Sequence, residues 1–346
     1  MKYKTLGRTG VLVSELCFGA MTFGGQGWWQ AVGKVPQEEA NRLVKLAFDR
    51  GINFFDTANV YSEGLSEQIL GASFKELGIS RQQVVIATKV LGRMGPGANQ
   101  MGLSRLHIAD SINDSLRRLN MDHVDLLYVH GVDLLTPTEE TMRGLEDAVR
   151  SGKTRYLGVS NHPAWMVTKA NGYAEKMGWT KFMAAQYFYS LAGREADREI
   201  IPMAESENLA LMPWSPLAGG FLSGKYSRSQ PKPGNSRRES FDFPYINKEK
   251  AYDIIERLLE IGRSHGVSAG QVALAWLLHK PVVTSVIIGA KTLEQLTENI
   301  ASAELKLSAG DIEQLDAASA LASEYPGWMV ERQSLGRVVP DRVGST

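Results

Sequence analysis

The stretch of residues 36–56, PQEEANRLVKLAFDRGINFFD, decides the fold of this chain. Its apolar residues recur at helical spacing, and they are Ala40, Leu43, Val44, Ala47 and Phe48. Gly51 ends that helix, and residues 52–56 follow as a short apolar strand that closes on Asp56. A helix that leads directly into a buried strand is the repeating unit of a parallel sheet covered by helices.

The same unit recurs along most of the chain. We predict strands at residues 16–19, 53–56, 84–89, 124–130, 156–160, 184–186, 210–214 and 283–288. Eight strands separated by helices favour a closed (β/α)8 barrel, the TIM barrel, over an open doubly wound sheet. We therefore expect residues 1–346 to form a single α/β domain.

Three further segments lie outside these repeating units. Residues 1–13 carry the turn Gly7-Arg8-Thr9-Gly10 between two short apolar pieces, which predicts an N-terminal β-hairpin that covers the bottom of the barrel. Residues 216–244 are rich in Pro, Gly, Ser and Arg and predict a long functional loop. Residues 321–346 form a C-terminal tail that we expect to lie over the substrate site.

Composition and charge exclude several classes of function. The chain has 346 residues with 38 basic and 38 acidic side chains, and zero net charge argues against binding to nucleic acid or to an anionic membrane. It lacks an apolar run of signal-peptide or membrane-span length, so we expect a cytoplasmic protein. Cys17 is the one cysteine and no HExxH motif occurs, which argues against a disulfide and against a metal site.

The active site of such a barrel is built at the carboxyl ends of its strands. Four polar side chains lie at or just after the carboxyl ends of three successive predicted strands. They are Asp56, Tyr61, Lys89 and His130. A lysine that ends a buried strand requires a partner, so we expect an ion pair between Lys89 and Asp56. Lys89 is also expected to lower the pKa of Tyr61 toward working pH, which would make this phenol a general acid while His130 orients a carbonyl oxygen. Each residue alone is compatible with a structural role, but the four together favour catalysis.

These residues stand in segments that resemble the aldo-keto reductase family. Residues 51–58, GINFFDTA, with Tyr61, residues 125–130, DLLYVH, followed by Asp133, and residues 158–161, GVSN, are similar to family segments in the family's order. Asp56, Tyr61, Lys89 and His130 match its catalytic tetrad. The resemblance implies a barrel that binds a nicotinamide cofactor across the strand ends and reversibly reduces aldehydes or ketones to alcohols by hydride transfer, with Tyr61 as proton donor.

The resemblance also implies where the cofactor is held. Ser160, Asn161 and Gln186 would hold the nicotinamide carboxamide beside Asp56, and Trp214 would stack on the ring. The remaining cofactor residues implied are Gly19, Ala20, Met21, Gln26, Ser215, Pro216, Leu217, Gly219, Gly220, Lys225, Arg238, Gly289, Lys291, Gln295, Glu298 and Asn299. Lys291 would lie near a 2′-phosphate, which favours NADP(H). Gln295 stands where many NADP-dependent members carry arginine, which leaves NAD(H) open.

Aromatic residues in the loops and the tail indicate the substrate class. Trp28 and Trp29 follow the first strand, Met94 follows the third, and Trp328 lies in the tail with Tyr325. With Tyr61 and His130 they would line an apolar pocket that suits aromatic or cyclic carbonyl compounds and their alcohols. The partner is thus expected to be a small molecule, and the sequence is compatible with a homo-oligomer.

Two other readings stay open at this point. Residues 23–26 and 214–226 also resemble the β subunits of voltage-gated potassium channels, which suggests a cofactor-binding regulatory or redox-sensing subunit. Those subunits lack the histidine of the tetrad, and the presence of His130 favours an enzyme. A lyase or isomerase that uses the same pocket would leave three cofactor segments unexplained. Residues 219–225 match part of a phosphate-binding GxxxxGK loop, but Tyr226 replaces the magnesium ligand.

Overall fold

The computed structural model describes residues 1–234 and 236–335, and it contains a parallel eight-stranded barrel. A two-stranded antiparallel hairpin precedes it. The strands are β1 (Tyr3–Thr5), β2 (Leu12–Ser14), β3 (Leu16–Gly19), β4 (Phe54–Asp56), β5 (Val85–Val90), β6 (Val124–Val129), β7 (Thr154–Ser160), β8 (Phe182–Phe188), β9 (Ala210–Trp214) and β10 (Val286–Ile288). The predicted (β/α)8 fold is confirmed.

Strand order follows chain order around the barrel, from β3 to β9, and β10 pairs with β3. A parallel bridge between Leu211 and Val283 joins the two ends of the sheet, and the Thr284 N–H donates to the Leu211 carbonyl at 2.8 Å. The last strand is shorter than the predicted 283–288 because residues 283–285 turn toward β9 before pairing with β3 begins. Parallel pairing brings all the carboxyl ends of these strands to one face of the barrel.

Helices cover the outside of the barrel, and two further helices lie in the long loop and in the C-terminal tail. They are α1 (Gln37–Asp49), α2 (Leu65–Glu76), α3 (Arg105–Leu119), α4 (Thr138–Arg150), α5 (Ala164–Met177), α6 (Ile200–Glu207), α7 (Arg237–Ser240), α8 (Lys248–His265), α9 (Ala269–His279), α10 (Leu293–Ala301), α11 (Ala309–Ser319) and α12 (Gly327–Ser334). Side-chain N-caps fix several starts, among them Ser104 before α3, Ser268 before α9 and Thr292 before α10. In residues 1–234 and 236–335 no helix is both long enough and apolar enough to cross a membrane.

The core has two main parts. Apolar side chains between strands and helices form the larger part, and a smaller cluster fills the barrel interior. Cys17 on β3 belongs to the interior cluster and is fully buried, and burial raises the pKa of its thiol well above the ordinary value. Side chains on alternate positions of a strand thus divide between the two parts.

The N-terminal hairpin closes one end of the barrel, as predicted. Leu6 and Val13 are fully buried and join the interior cluster. Gly7 has φ +54°, and a Cβ there would lie 2.5 Å from the Met183 carbonyl oxygen at the start of β8. The hairpin therefore packs against the amino ends of the strands, opposite the face that carries the predicted site.

The long loop of residues 216–244 contains a 3₁₀ turn (Phe221–Ser223) and α7. Arg238 is 7% exposed and donates to the Ala218 carbonyl at 2.8 Å and to the Pro244 carbonyl at 2.9 Å, while it pairs with Asp242. Arg238 thereby joins the beginning of the loop to its end.

The C-terminal tail is described as far as residue 335. Arg198 forms an ion pair with Glu324, and Trp328 in α12 contacts Tyr325 with 6.1 Å between ring centroids. Residues 336–346 of the predicted tail lie outside the described residues. The position of the tail over the substrate site and the single domain of residues 1–346 stay predictions.

Candidate active site

The structure brings Asp56, Tyr61, Lys89 and His130 together at the carboxyl face of the barrel. Asp56 ends β4, Lys89 is the penultimate residue of β5, and His130 directly follows β6. Tyr61 begins a 3₁₀ turn (Tyr61–Gly64) in the loop after β4. Because these strands are neighbours in the barrel, their ends place the four side chains close together, with Lys89 in contact with Asp56 and Tyr61, and His130 in contact with Tyr61.

Asp56 and Lys89 form the buried ion pair that the sequence predicts. The Lys89 side chain is fully buried and the Asp56 side chain is 4% exposed. Lys89 Nζ also donates to the Thr57 carbonyl at 2.8 Å and to Tyr61 Oη at 3.3 Å. Burial alone lowers the pKa of Lys89, but the Asp56 carboxylate and the Tyr61 oxygen outweigh it, so the net pKa is raised and Lys89 stays protonated.

Gln186 completes the surroundings of Asp56. Its Nε2 donates to Asp56 Oδ2 at 2.9 Å from β8, on the far side of the barrel from β4 and β5. Burial still raises the pKa of Asp56 from its ordinary value, although Lys89 and Gln186 both lower it. The carboxylate thus depends on both partners to remain charged in a dry interior.

The predicted direction of the Tyr61 pKa shift is wrong. Burial raises the pKa of Tyr61 above its ordinary value, and the opposing effect of Lys89 only reduces that rise. Trp29 packs edge-on against Tyr61 at 5.1 Å between centroids and contributes to this burial. Tyr61 is therefore protonated near neutral pH, and Lys89 acts mainly on the phenolate that remains after proton donation.

His130 is a neutral imidazole in this setting. Burial lowers its pKa to about 3, and the positive charge of Lys89 reinforces the shift. Its ring stands edge-on to Tyr61 with 5.6 Å between centroids. A neutral ring N–H can donate a hydrogen bond to the same substrate oxygen that Tyr61 protonates.

The residues implied for the nicotinamide, its carboxamide and its ring, lie at or near the ends of β7, β8 and β9. Ser160 Oγ donates to the Gln186 carbonyl at 2.8 Å. Asn161 has φ +55°, donates through Nδ2 to the His130 carbonyl at 2.9 Å, and accepts at Oδ1 from Trp214 Nε1 at 3.1 Å. These bonds hold the group of side chains beside His130 and Asp56.

Trp214 already has aromatic neighbours. Phe243 stacks on it at 5.6 Å between centroids with 10° between the planes, and Phe188 packs at 5.2 Å. The long loop thus reaches the indole that the family resemblance assigns to the nicotinamide.

The loop after β9 uses several of its polar groups internally. Ser215 Oγ accepts from the Gly219 N–H at 2.9 Å, and the Gly220 N–H donates to the Leu217 carbonyl at 2.9 Å. Pro216 has no N–H, and the Lys225 side chain is exposed. The loop is preorganised as a turn, and Lys225 is its solvent-facing cation.

The segment implied for the adenosine end forms the start of α10. The Lys291 N–H donates to Gln295 Oε1 at 2.9 Å, and Asn299 Nδ2 donates to the Gly289 carbonyl at 3.2 Å. Glu298 is exposed on the same helix. Gln295 therefore fixes the turn that carries Lys291.

Arg237 is a residue that sequence reasoning missed. Its Nε is buried, and no described residue completes a hydrogen bond to it. Its positive charge acts on both Lys291, whose pKa is lowered by burial and by Arg237, and Tyr61. Arg237 thus lies between the tetrad and the start of α10, where two cations and an unpaired donor suit an anionic group. The sequence offers no spacing that separates Arg237 from the adjacent Arg238.

The residues implied after β3 lie along the same rim. Gly19 pairs with Asp56, and the Ala20 N–H donates to the Asp56 carbonyl at 2.8 Å. Met21 packs against the cluster that contains Trp29 and Tyr61. Gln26 is exposed at the start of a 3₁₀ turn (Gly27–Ala31) that carries both tryptophans.

Aromatic side chains lie beside Tyr61 on one side of the site. Trp28 packs on Trp29 at 4.0 Å between centroids and on Phe241 of the long loop at 5.5 Å. Trp28 is 56% exposed, whereas Trp29 is 7% exposed. Phe241 was not predicted, because its loop has no periodic pattern.

The contacts of Met94 and Trp328, two of the predicted substrate residues, lie away from the tetrad. The Met94 N–H donates to the Gln100 carbonyl at 2.9 Å, and Met94 lines a polar cleft against α3 with His107 and Asp110. Trp328 is 40% exposed and contacts Tyr325 in the tail. Their role in the substrate pocket stays a prediction.

The comparisons with known proteins agree with this geometry. The model of the aldo/keto reductase family matches residues 15–320, from the start of the barrel to the end of α11. The chain belongs to this family. Among described residues, no cluster of His, Cys, Asp or Glu is suited to a metal ion.

Several relatives align with this chain over nearly its whole length and over nearly their own. Versiconal hemiacetal acetate reductase of Aspergillus parasiticus is 35% identical over 94% of this chain and 99% of its own. A Schizosaccharomyces pombe protein provisionally assigned as an aryl-alcohol dehydrogenase is 35% identical over 91% and 94%. An Arabidopsis thaliana protein provisionally assigned as a voltage-gated potassium channel subunit beta is 37% identical over 88% and 92%. This chain is thus similar both to oxidoreductases and to a protein assigned as a channel subunit.

Proposed function

We propose that the protein is an NADP(H)-dependent oxidoreductase that reversibly reduces aldehydes or ketones to alcohols, with Tyr61 as the proton donor. The observation that carries this proposal is the contact of Tyr61 Oη with Lys89 Nζ at 3.3 Å, inside a buried pair with Asp56. Family membership supports oxidoreductase chemistry with a nicotinamide cofactor.

The chain's own residues provide the proton chemistry. A bound nicotinamide cofactor would supply the hydride for reduction or accept it in the reverse direction. Tyr61, protonated at neutral pH, donates its proton to the carbonyl oxygen, and the neighbouring ammonium of Lys89 stabilises the phenolate left behind. His130, neutral because of its low pKa, donates a hydrogen bond that fixes the same oxygen.

The preference for NADP(H) is supported by the cations at the far end of the site. Arg237 and Lys291 are close enough for the guanidinium to lower the pKa of the lysine. Two such cations are stabilised by a dianionic phosphate group more than by a neutral ribose hydroxyl. NAD(H) would make fewer of these contacts and is expected to bind more weakly.

The proposed substrates are aromatic or cyclic carbonyl compounds. Trp29 borders Tyr61, and Trp28 with Phe241 extends the aromatic surface toward the long loop. Flat rings bury apolar area against such walls. The relative assigned as an aryl-alcohol dehydrogenase supports the same class. The cytoplasmic location and a homo-oligomeric state stay predictions.

Consumption of NADPH and NADH with a panel of aromatic, cyclic and aliphatic carbonyls tests this proposal. We expect turnover with NADPH, and we expect Tyr61→Phe to lose roughly 10²-fold or more of it while binding NADPH as before. Tyr189→Phe, which removes another buried hydroxyl outside the site, is the matched control. Retained activity in Tyr61→Phe would refute the role of Tyr61.

A regulatory or redox-sensing subunit is the second candidate, supported by the relative assigned as a potassium channel subunit. On that hypothesis the protein binds NADPH tightly but turns over no carbonyl in the panel. The same experiment, combined with NADPH binding measured by fluorescence, therefore separates the two functions.

A further inference from the structure

Tyr128 is a fully buried phenol inside the barrel that the mechanism above does not use. It lies on β6 in register with Lys89 on β5, so the two residues are neighbours on adjacent strands, and both side chains are fully buried. Tyr128 packs there in the cluster that also contains Cys17 and Met212. A polar hydroxyl in an otherwise apolar cluster beside the ion pair requires a hydrogen-bond partner.

The neighbouring strand makes room for this ring. Gly158 on β7 is in register with Tyr128, and a Cβ at Gly158 would lie 2.3 Å from Tyr128 Cδ1. The ring therefore lies over the backbone of β7 and extends toward β8. Gln186, whose Nε2 donates to Asp56, stands on β8.

The Tyr128 hydroxyl lies beside the Gln186 side chain and within electrostatic reach of Asp56 and Cys17. No described residue completes a hydrogen bond to it with good geometry. Phenylalanine would fill the same space without leaving a buried hydroxyl unpaired. The Tyr128 hydroxyl thus lies next to the Gln186 side-chain amide. The Nε2 of this amide donates to Asp56, and its Oε1 can accept a hydrogen bond.

We propose that the Tyr128 hydroxyl donates to Gln186 Oε1, directly or through one ordered water, and so holds the amide with its N–H group on Asp56. Tyr128 is then a positioning residue for the Asp56–Lys89–Tyr61 chain. The effect of Tyr128 on catalysis rests on the proposed function. Its effect on the pKa of Asp56 is independent of that function.

The groups around Asp56 determine the expected consequence. Lys89 from β5, Gln186 from β8, Cys17 from β3, Tyr61 from the loop after β4 and Tyr128 from β6 all face it. Without the phenol the amide can rotate, and the carboxylate loses a donor. A carboxylate with fewer donors has a higher pKa and holds the ammonium of its partner more tightly. Lys89 then polarises Tyr61 less.

The first measurement needs no turnover. In Tyr128→Phe the pKa of Asp56 should rise by roughly one unit. A carboxyl with a raised folded-state pKa contributes stability at low pH that is lost as pH rises, so the variant should lose stability relative to wild type between about pH 4 and neutral pH. Melting temperatures across that range should diverge by about 2 °C, with the variant lower at neutral pH.

The second measurement uses carbonyl reduction. The basic limb of the kcat profile, where Tyr61 loses its proton, should move to higher pH by roughly half a unit to one unit in Tyr128→Phe. KM for the carbonyl should not change, because Tyr128 does not touch the substrate. Tyr189→Phe, which removes a buried hydroxyl next to Asp197, should leave both profiles unchanged.

A Gln186→Ala background tests the route of the effect. If Tyr128 acts through Gln186, adding Tyr128→Phe to Gln186→Ala should not change the pH dependence of the melting temperature further. A Tyr128→Phe variant whose melting temperatures parallel those of wild type at every pH, with a superimposable kcat profile, would overturn the proposal. Absence of turnover in the wild type would refute the proposed function, and the melting data would still decide the role of Tyr128.

Discussion

Removing the charge of Lys89 tests the central feature of the site, its buried ion pair with Asp56. Lys89→Met keeps the shape of the side chain but leaves the Asp56 carboxylate, 4% exposed, with Gln186 as its remaining side-chain partner. Breaking a buried pair from one side costs about 3–5 kcal/mol of unfolding free energy, since the remaining charge is left uncompensated. We expect a loss of that size at pH 8.

The loss should depend on pH in a defined direction. Burial already raises the pKa of Asp56, and removal of Lys89 takes away its largest opposing influence, so the pKa rises further. A raised folded-state pKa means that the protonated carboxyl is favoured in the folded protein, and stability is lost as pH increases through that pKa. Lys89→Met should therefore be destabilised less at pH 5 than at pH 8.

Guanidinium unfolding followed by far-UV circular dichroism at the two pH values measures both effects. Lys45→Met is the matched control, because Lys45 pairs with Asp49 at 2.7 Å on the surface and exposed pairs contribute little. The double variant Asp56→Asn with Lys89→Met should be more stable than the sum of the single changes predicts. If Lys89→Met costs no more than Lys45→Met, or costs the same at both pH values, the buried pair is not charged as described.

Two further predictions concern catalysis and cofactor choice. Because the pKa of His130 lies at about 3, kcat/KM for reduction should show no histidine-dependent limb between pH 5 and 8; a limb near pH 6.5 that disappears in His130→Gln would contradict this. Lys291→Ala should weaken NADPH binding by about tenfold, or about 1.4 kcal/mol, and NADH binding much less. Fluorescence titration measures this with the exposed Lys306→Ala as control, and equal effects on both cofactors would remove the assignment of the 2′-phosphate to Lys291.

The proximity of the catalytic side chains at the strand ends could be predicted from the sequence, because the apolar pattern shows where each strand ends. Asp56, Lys89 and His130 each stand at the end of a short apolar run, and parallel pairing of adjacent strands then forces them together. The same alternation places Tyr128 inside the barrel beside Lys89. The positions of residues at strand ends can thus be predicted from the local pattern of apolar residues.

Features that depend on the long loop could not be predicted in this way. Arg237 and Arg238 are adjacent, yet Arg238 is tied to the Pro244 carbonyl and Arg237 extends toward Lys291. That difference arises from contacts far along the chain. The Tyr61 pKa was predicted in the wrong direction because burial of the phenol, to which the contact with Trp29 contributes, outweighs the charge of Lys89.

The interior position of Cys17 has a practical consequence for spectroscopy. The chain has one cysteine, and its thiol is fully buried with a pKa raised well above the ordinary value, so it offers no thiolate to alkylating reagents in the folded protein. A cysteine introduced at the exposed Lys232 of the long loop would carry a maleimide dye or spin label selectively. Such a probe could follow the loop during cofactor binding while the native thiol stays in place.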